Sequence, residues 1–217
     1  MIGRPYFGLE NIYYGYMTKQ NYMRIIHISG PPGSGKTTLG RRLLKRFGDT
    51  ICVKDVDDLR ADFIHSFYGE SNWSTIDKEE YQSYIDKFIQ KQSKIGKPII
   101  FVGLTTMPWW HKNHYYDLHA THRFYIDISN TVVLKQKYIR LLNYMLNDKR
   151  AIDDLLRDNK RFLKQFMTNI ENELDAERCG AQNEFFKQSY LEMGYILQSR
   201  SGIYSEVKRM LRVGSEN

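Results

Sequence analysis

The eight residues Gly30-Pro31-Pro32-Gly33-Ser34-Gly35-Lys36-Thr37 fit the spacing G-x-x-x-x-G-K-[ST], whose chemistry is polyphosphate binding. A triphosphate needs donors that approach closely and a cation to offset its charge. Glycines at 30, 33 and 35 permit the tight turn. The amides from Gly33 through Ser34, Gly35, Lys36, Thr37 and Thr38 are expected to point inward at a helix N-terminus. Lys36 then reaches the β- and γ-phosphates, and the Thr37 hydroxyl takes Mg²⁺. The competing reading is an ordinary glycine turn that caps a helix. The flanks argue against it: Arg24–Ser29 reads as a short buried strand, and Leu39, Leu43, Leu44 and Phe47 recur at helical spacing after the loop.

A second group of candidates follows the next apolar run, Thr50–Lys54. Asp55 and Asp57 lie two apart at its end and point the same way if the strand continues. A carboxylate there can hold Mg²⁺ or accept a hydroxyl proton. The structural alternative is helix capping, for which Asp57 or Asp58 is well placed. Arg60 is either a phosphate ligand or an exposed helix residue. Further along, Arg140, Arg150, Arg157 and Arg161 could neutralise phosphate, although Asp153, Asp154 and Asp158 offer surface partners. His111, His114, His119 and His122 form two H-x-x-H pairs, with no Cys or H-E-x-x-H pattern to complete a zinc site. Trp109 and Trp110 stack an acceptor ring or cover the core.

These residues need a scaffold. Strands are predicted at 24–29, 50–54, 98–102, 123–128 and 194–198. A helix runs from the Asp55 region to about Tyr68. Tyr81, Tyr84, Ile85, Phe88 and Ile89 form the stripe of another, which Gly96 ends. Leu134, Tyr138, Leu141, Leu142 and Met145 define the next, and Ile152 through Leu174 one long charged helix. Cys179–Asn183 breaks that pattern, a shorter helix follows, and Ile203–Leu211 closes the chain. Strands alternating with helices predict an α/β fold, three layers around a mainly five-stranded parallel sheet. Right-handed crossovers put all strand C-termini on one edge, where ligands bind. The phosphate loop, Asp55–Arg60, Gly103–Trp110 and a Ser199–Gly202 loop are expected to meet there. Residues 1–23, with Tyr6, Tyr13, Tyr14, Tyr16 and Tyr22, read as an irregular extension. Residues 24–217 read as one domain with a helical lid segment at about 149–182.

Length and composition agree. A chain of 217 residues suits one domain. It shows no apolar run long enough for a membrane span and no signal-peptide core. Cys52 and Cys179 have no metal or redox spacing, so a reducing cytoplasmic setting is the expectation. The net charge of +7 suits anionic ligands. Acidic residues are taken to be interspersed in every helix, so that no continuous basic stripe forms.

The phosphate loop followed by Asp55-x-Asp57 resembles the arrangement of shikimate and gluconate kinases. Asp58-Leu59-Arg60-Ala61 is similar to the D-[LM]-L-R-A stretch of nucleoside and nucleotide monophosphate kinases, one residue short. The resemblance covers about residues 24–212. It implies a phosphate-loop kinase using ATP and Mg²⁺. Thr37 and Asp55 would hold the metal, Asp55 or Asp57 would take the acceptor proton or orient the acceptor, Arg60 would grip an acceptor phosphate, and Arg140 would be a lid arginine. The chain departs from the nucleotide kinases at Val102-Gly103-Leu104-Thr105-Thr106, where they carry D-G-F-P-R, and at Gln136, where an arginine is lost. The GTPase patterns D-x-x-G and N-K-x-D do not occur. The sequence therefore implies a kinase acting on a small acceptor, a nucleoside or nucleotide. A polynucleotide 5′-kinase and an ATPase or nucleotide-dependent binding module remain alternatives. Oligomeric state is not legible.

Overall fold

The computed structural model describes residues 23–69, 77–105 and 116–213. The Tyr-rich extension, Trp73, Trp109, Trp110, His111 and His114 lie outside them. Five parallel strands form the sheet: β1 (Ile25–Ser29), β2 (Cys52–Asp55), β3 (Ile99–Val102), β4 (His122–Ile126) and β5 (Ile196–Gln198), in the order β2-β3-β1-β4-β5. β1 and β3, flanked on both sides, are continuous buried apolar runs apart from His27 and Ser29, as a sheet covered on both faces requires.

Helices cover both faces. On one lie α1 (Lys36–Phe47) and α8 (Arg200–Val213), which bury Leu39, Leu43, Ile203 and Val207 against Ile26, Ile28, Ile100, Val102, Phe124 and Ile126. On the other lie α2 (Val56–Tyr68) and α3 (Lys78–Ile95), packed through Leu59, Phe63, Tyr81 and Ile85 onto Ile25, Ile99 and Phe101. That face is completed by α7 (Ala176–Glu192), whose Phe186 and Tyr190 meet Tyr125 and Tyr195. The remaining helices, α4 (Asn130–Asn147), α5 (Lys149–Arg157) and α6 (Asn159–Leu174), pack on one another. The fold is a three-layer α/β architecture around a five-stranded parallel sheet.

Four expectations are corrected. The single long helix is two, because Asp158 stops it: its carboxylate accepts the Arg161 amide at 3.0 Å and caps α6. Cys179–Asn183 is not a break. Asp175 caps α7 by accepting the Arg178 amide, and the helix runs through Cys179 and Asn183, both buried. Ser199–Gly202 is not a loop, since α8 begins at Arg200 and the Ser199 hydroxyl accepts the Gly202 amide at 3.1 Å. Acidic residues are not interspersed in every helix: α1 and α4 contain none, and α8 contains only Glu206.

Candidate active site

β1 delivers the chain to the phosphate loop, and α1 leaves it. Gly35 is the N-cap of α1 in the left-handed region, at φ 86°. That φ strains any other residue, and a Cβ would also displace the Arg200 guanidinium, 2.8 Å away. Gly30 has φ 155°, and a Cβ would meet the Ser34 hydroxyl at 2.8 Å and Ile126 at 3.0 Å. The first turn of α1 carries no acidic residue, so its N-terminal field is uncompensated within the helix and favours an anion. The amides of Lys36, Thr37 and Thr38 have no acceptor within the helix. Ser34 differs from expectation: its N–H donates to the Pro31 carbonyl at 3.0 Å and its side chain is fully buried. It shapes the loop from beneath and does not add to the inward donors.

Lys36 lies along the loop, donating to the carbonyls of Gly30 at 2.7 Å and Pro31 at 3.0 Å. Burial lowers its pKa to about 8; Asp57 and Asp55 pull it up and Arg140 pushes it down. Thr37 donates to Asp55 Oδ2 at 2.9 Å. The other Asp55 oxygen accepts the Asp57 amide at 3.0 Å, so Asp55 is the N-cap of α2. This corrects the shared-face argument. The strand ends at Asp55, and Asp57 stands in the first turn of a helix. The helix still turns it toward the loop, and Asp55 and Asp57 border the same cleft.

Asp57 Oδ1 accepts from Arg60 Nη2 at 2.7 Å. Arg60 is only 3% exposed, which overturns the exposed-helix alternative. It steadies Asp57 from below and does not line the cleft. Burial raises the Asp57 pKa, with Arg60 opposing and Asp55 adding to the rise. Its side chain is 68% exposed, so solvent screens much of this effect.

The cleft holds about 400 Å³ between the loop, Asp55, Asp57, the Gly103–Leu104 turn, and Gln136 and Arg140 from α4. Of the lid candidates only Arg140 borders it; Arg157 faces Asp154 at 3.8 Å on the surface. Thr37 and Asp55 together offer hard oxygen donors beside the phosphate loop. That donor set fits Mg²⁺, which is held by few protein oxygens and keeps several waters.

A second cavity of about 480 Å³ lies on the other side of the same loop. It shares Gly35 and Thr38 with the first and is walled by Arg42, Ile128, Val132, Ser199 and Arg200. Sequence reasoning did not single out Arg42 or Arg200; their position after the loop and after β5 is the only signal it carried.

His27 was also missed. It is fully buried on β1. Its Nε2 donates to the Gly103 carbonyl at 3.1 Å, so Nδ1 is the acceptor for the Tyr195 hydroxyl at 2.5 Å. Burial drives its pKa to about 3, and the ring stays neutral. Beside it Tyr190 accepts the Thr105 amide at 2.8 Å. These contacts pin the start of the segment that leaves β3 toward the cleft. As for metal chemistry elsewhere, no cluster of three or more His, Cys, Asp or Glu suitable for a metal occurs among the described residues. His119 instead bonds Asp86 at 2.9 Å. No helix of the described residues is long and apolar enough to cross a membrane.

No known family model matches the sequence, and no curated protein matches it. Among solved structures, shikimate kinase from Acinetobacter baumannii in complex with shikimate aligns over 89% of this chain and 95% of its own, at 13% identity and a TM-score of 0.40. The crystal structure of APE1195 aligns over 57% of this chain and 74% of its own, at 18% identity and a TM-score of 0.33.

Proposed function

We propose that this protein is an ATP- and Mg²⁺-dependent kinase that transfers the γ-phosphoryl group to a small acceptor, a nucleoside or nucleotide. The observation that carries this reading is the pair of cavities on either side of one phosphate loop. A hydrolase or switch needs room for one nucleotide; a transferase needs a second space facing the γ-phosphate. The cavity at Arg42, Ile128, Val132 and Arg200 suits the donor base and ribose. The cleft at Asp55, Asp57 and Arg140 suits the acceptor.

The chain's own groups then have distinct tasks. The amides of Lys36, Thr37 and Thr38 hold the β-phosphate at the helix N-terminus. Lys36 leaves the Gly30 and Pro31 carbonyls and follows the charge that develops on the γ-oxygens. Thr37 and Asp55 would hold Mg²⁺, which would supply positive charge against the triphosphate. Asp57 accepts the proton of the acceptor hydroxyl as its oxygen bonds to phosphorus and the bond from the γ-phosphorus to the β,γ-bridging oxygen breaks. Arg60 keeps that carboxylate oriented. Positioning and electrostatics supply most of the rate.

The test is transfer from γ-labelled ATP to a panel of nucleosides, nucleotides and polyols, and in parallel to 5′-hydroxyl oligonucleotides. Labelled nucleoside or nucleotide is the expected product. Labelling of oligonucleotide ends with no small-acceptor product favours the polynucleotide kinase. ATP hydrolysis unaffected by every acceptor favours the ATPase.

α5 and α6 are proposed as the cover that keeps water from the γ-phosphate. Leu156 on α5 is 80% exposed, and Leu163 and Met167 on α6 are about half exposed, as expected of helices that gain contacts on closing. Amide exchange across 149–174 is expected to slow only when a non-hydrolysable ATP analogue and the acceptor are bound together. Unchanged exchange there would mean a static helical subdomain.

A further inference from the structure

α1 and α8 lie side by side on one face of the sheet, with the Arg42 guanidinium 4.1 Å above the Tyr204 ring. Their apolar residues turn inward to the sheet, which leaves a polar outer face. On α1 that face holds Arg41, Arg42, Lys45 and Arg46, all exposed, and α1 has no acidic residue. On α8 it holds Arg200, Arg209 and Arg212, also exposed, with Lys208 half-buried. The one acidic residue of the pair, Glu206, is taken by Arg209 at 2.6 Å. Together these two helices carry more positive charge than the net +7 of the whole chain. By contrast α3, α5, α6 and α7 each mix acidic with basic residues.

We propose that the outer face of α1 and α8 binds the phosphodiester backbone of a nucleic-acid strand. Arg41, Lys45 and Arg46 have no acidic partner among the described residues, so their charge is available to phosphate. Arg41 and Lys45, like Arg42 and Arg46, are four apart, about 6 Å along the axis. The basic stretch from Arg41 to Arg46 spans about 8 Å of α1, and Arg209 and Arg212 on α8 extend the surface beside it. A lipid surface is a poorer fit. A helix lying in a bilayer interface presents bulky apolar residues outward, and among the described residues Leu44 is the only large apolar one exposed on either helix. The face lies across the sheet from α2, so a strand held on Arg41, Lys45 and Arg46 stays clear of the cleft at Asp57; Arg42 and Arg200, at its edge, also wall the other cavity. The proposal does not depend on the kinase reading. It describes how the protein is held on a polyanion, not what it phosphorylates.

Fluorescence anisotropy with labelled single-stranded RNA and DNA of mixed sequence, without ATP, tests it. Binding is expected to fall as salt rises from about 50 to 200 mM, with a log–log slope near −2 if about three phosphates are neutralised. The triple variant Arg41→Glu, Lys45→Glu, Arg46→Glu is expected to bind at least about tenfold more weakly and to flatten that slope. Its circular dichroism should match wild type, since the three side chains are exposed. Lys36→Ala should bind the strands as wild type does. A preference for RNA or for DNA identifies the natural polymer. Three outcomes would each overturn the proposal: no binding of either strand at about 50 mM salt, equal binding by the triple variant, or retention on anionic phospholipid vesicles with no strand binding.

Discussion

Lys36→Ala is expected to lower the turnover of phosphoryl transfer by at least about 10²–10³-fold, the loss that follows removal of one preorganised charge-stabilising donor, while the fold survives. Lys36 reaches the loop carbonyls from the first residue of α1, and among the described residues no other ammonium borders the cleft. Arg140 lies across the cleft on α4 and cannot take over a position inside the loop. The fold survives because burial already disfavours the charged form of Lys36. The same shift fixes the pH behaviour. Below about pH 8 the free enzyme carries the ammonium that a triphosphate requires. Above about pH 8 it must first be reprotonated, so nucleotide affinity is expected to fall up to about tenfold per pH unit. Stability moves the other way. Between about pH 8 and the ordinary lysine value of 10.5 the unfolded chain binds the extra proton, so the wild type gains stability as pH rises. Calorimetric titration with ATP analogue in two buffers of different ionisation enthalpy reads the proton uptake, and thermal unfolding across this range reads the stability. In Lys36→Ala both signatures should vanish. Normal turnover in that variant would reject the site.

Asp55→Asn is expected to lower Mg²⁺-dependent turnover by about 10²-fold or more, with a stability change of only a few tenths of a kcal/mol. Asp55 does two jobs at once: it accepts from Thr37 and it caps α2. Asparagine caps a helix nearly as well as aspartate but lacks the negative charge that a cation or its waters need, so the two jobs separate. Asp55→Ala should lose both, adding about 1 kcal/mol of destabilisation. Binding of an ATP analogue without metal should be nearly the same in all three proteins. If Asp55→Asn turns over like wild type while Asp55→Ala only melts earlier, Asp55 is a cap and nothing more.

Much of this was legible in the sequence. The phosphate loop depends on local chemistry: glycines where φ is positive, a lysine and a threonine at fixed offsets, a strand before and a helix after. All of that lies within about a dozen residues, so spacing alone determined it. The five strands and the α/β class followed from apolar runs alternating with helical periodicity. The helix boundaries between 149 and 192 did not, because Asp158 and Asp175 could equally face solvent or cap a helix, and only the backbone geometry around them decides.

The cleft itself belongs to tertiary structure. Asp55 meets Thr37 only because β2 and the phosphate loop end on the same sheet edge, 18 positions apart in the chain. Arg140 arrives from α4, and Arg200 from the start of α8. Arg60 illustrates the limit most clearly. Its place after an acidic strand end resembled a phosphate grip, yet one turn of α2 buries it beneath Asp57. The basic face is another such case. The missing acids in α1 and the single Glu206 in α8 could be read from the letters, but their union into one surface required α1 and α8 to pack side by side. Sequence spacing governs what lies within a turn of helix or a step of strand. Which distant residues share a cavity or a surface is decided by the order in which the strands assemble and by the faces their helices bury.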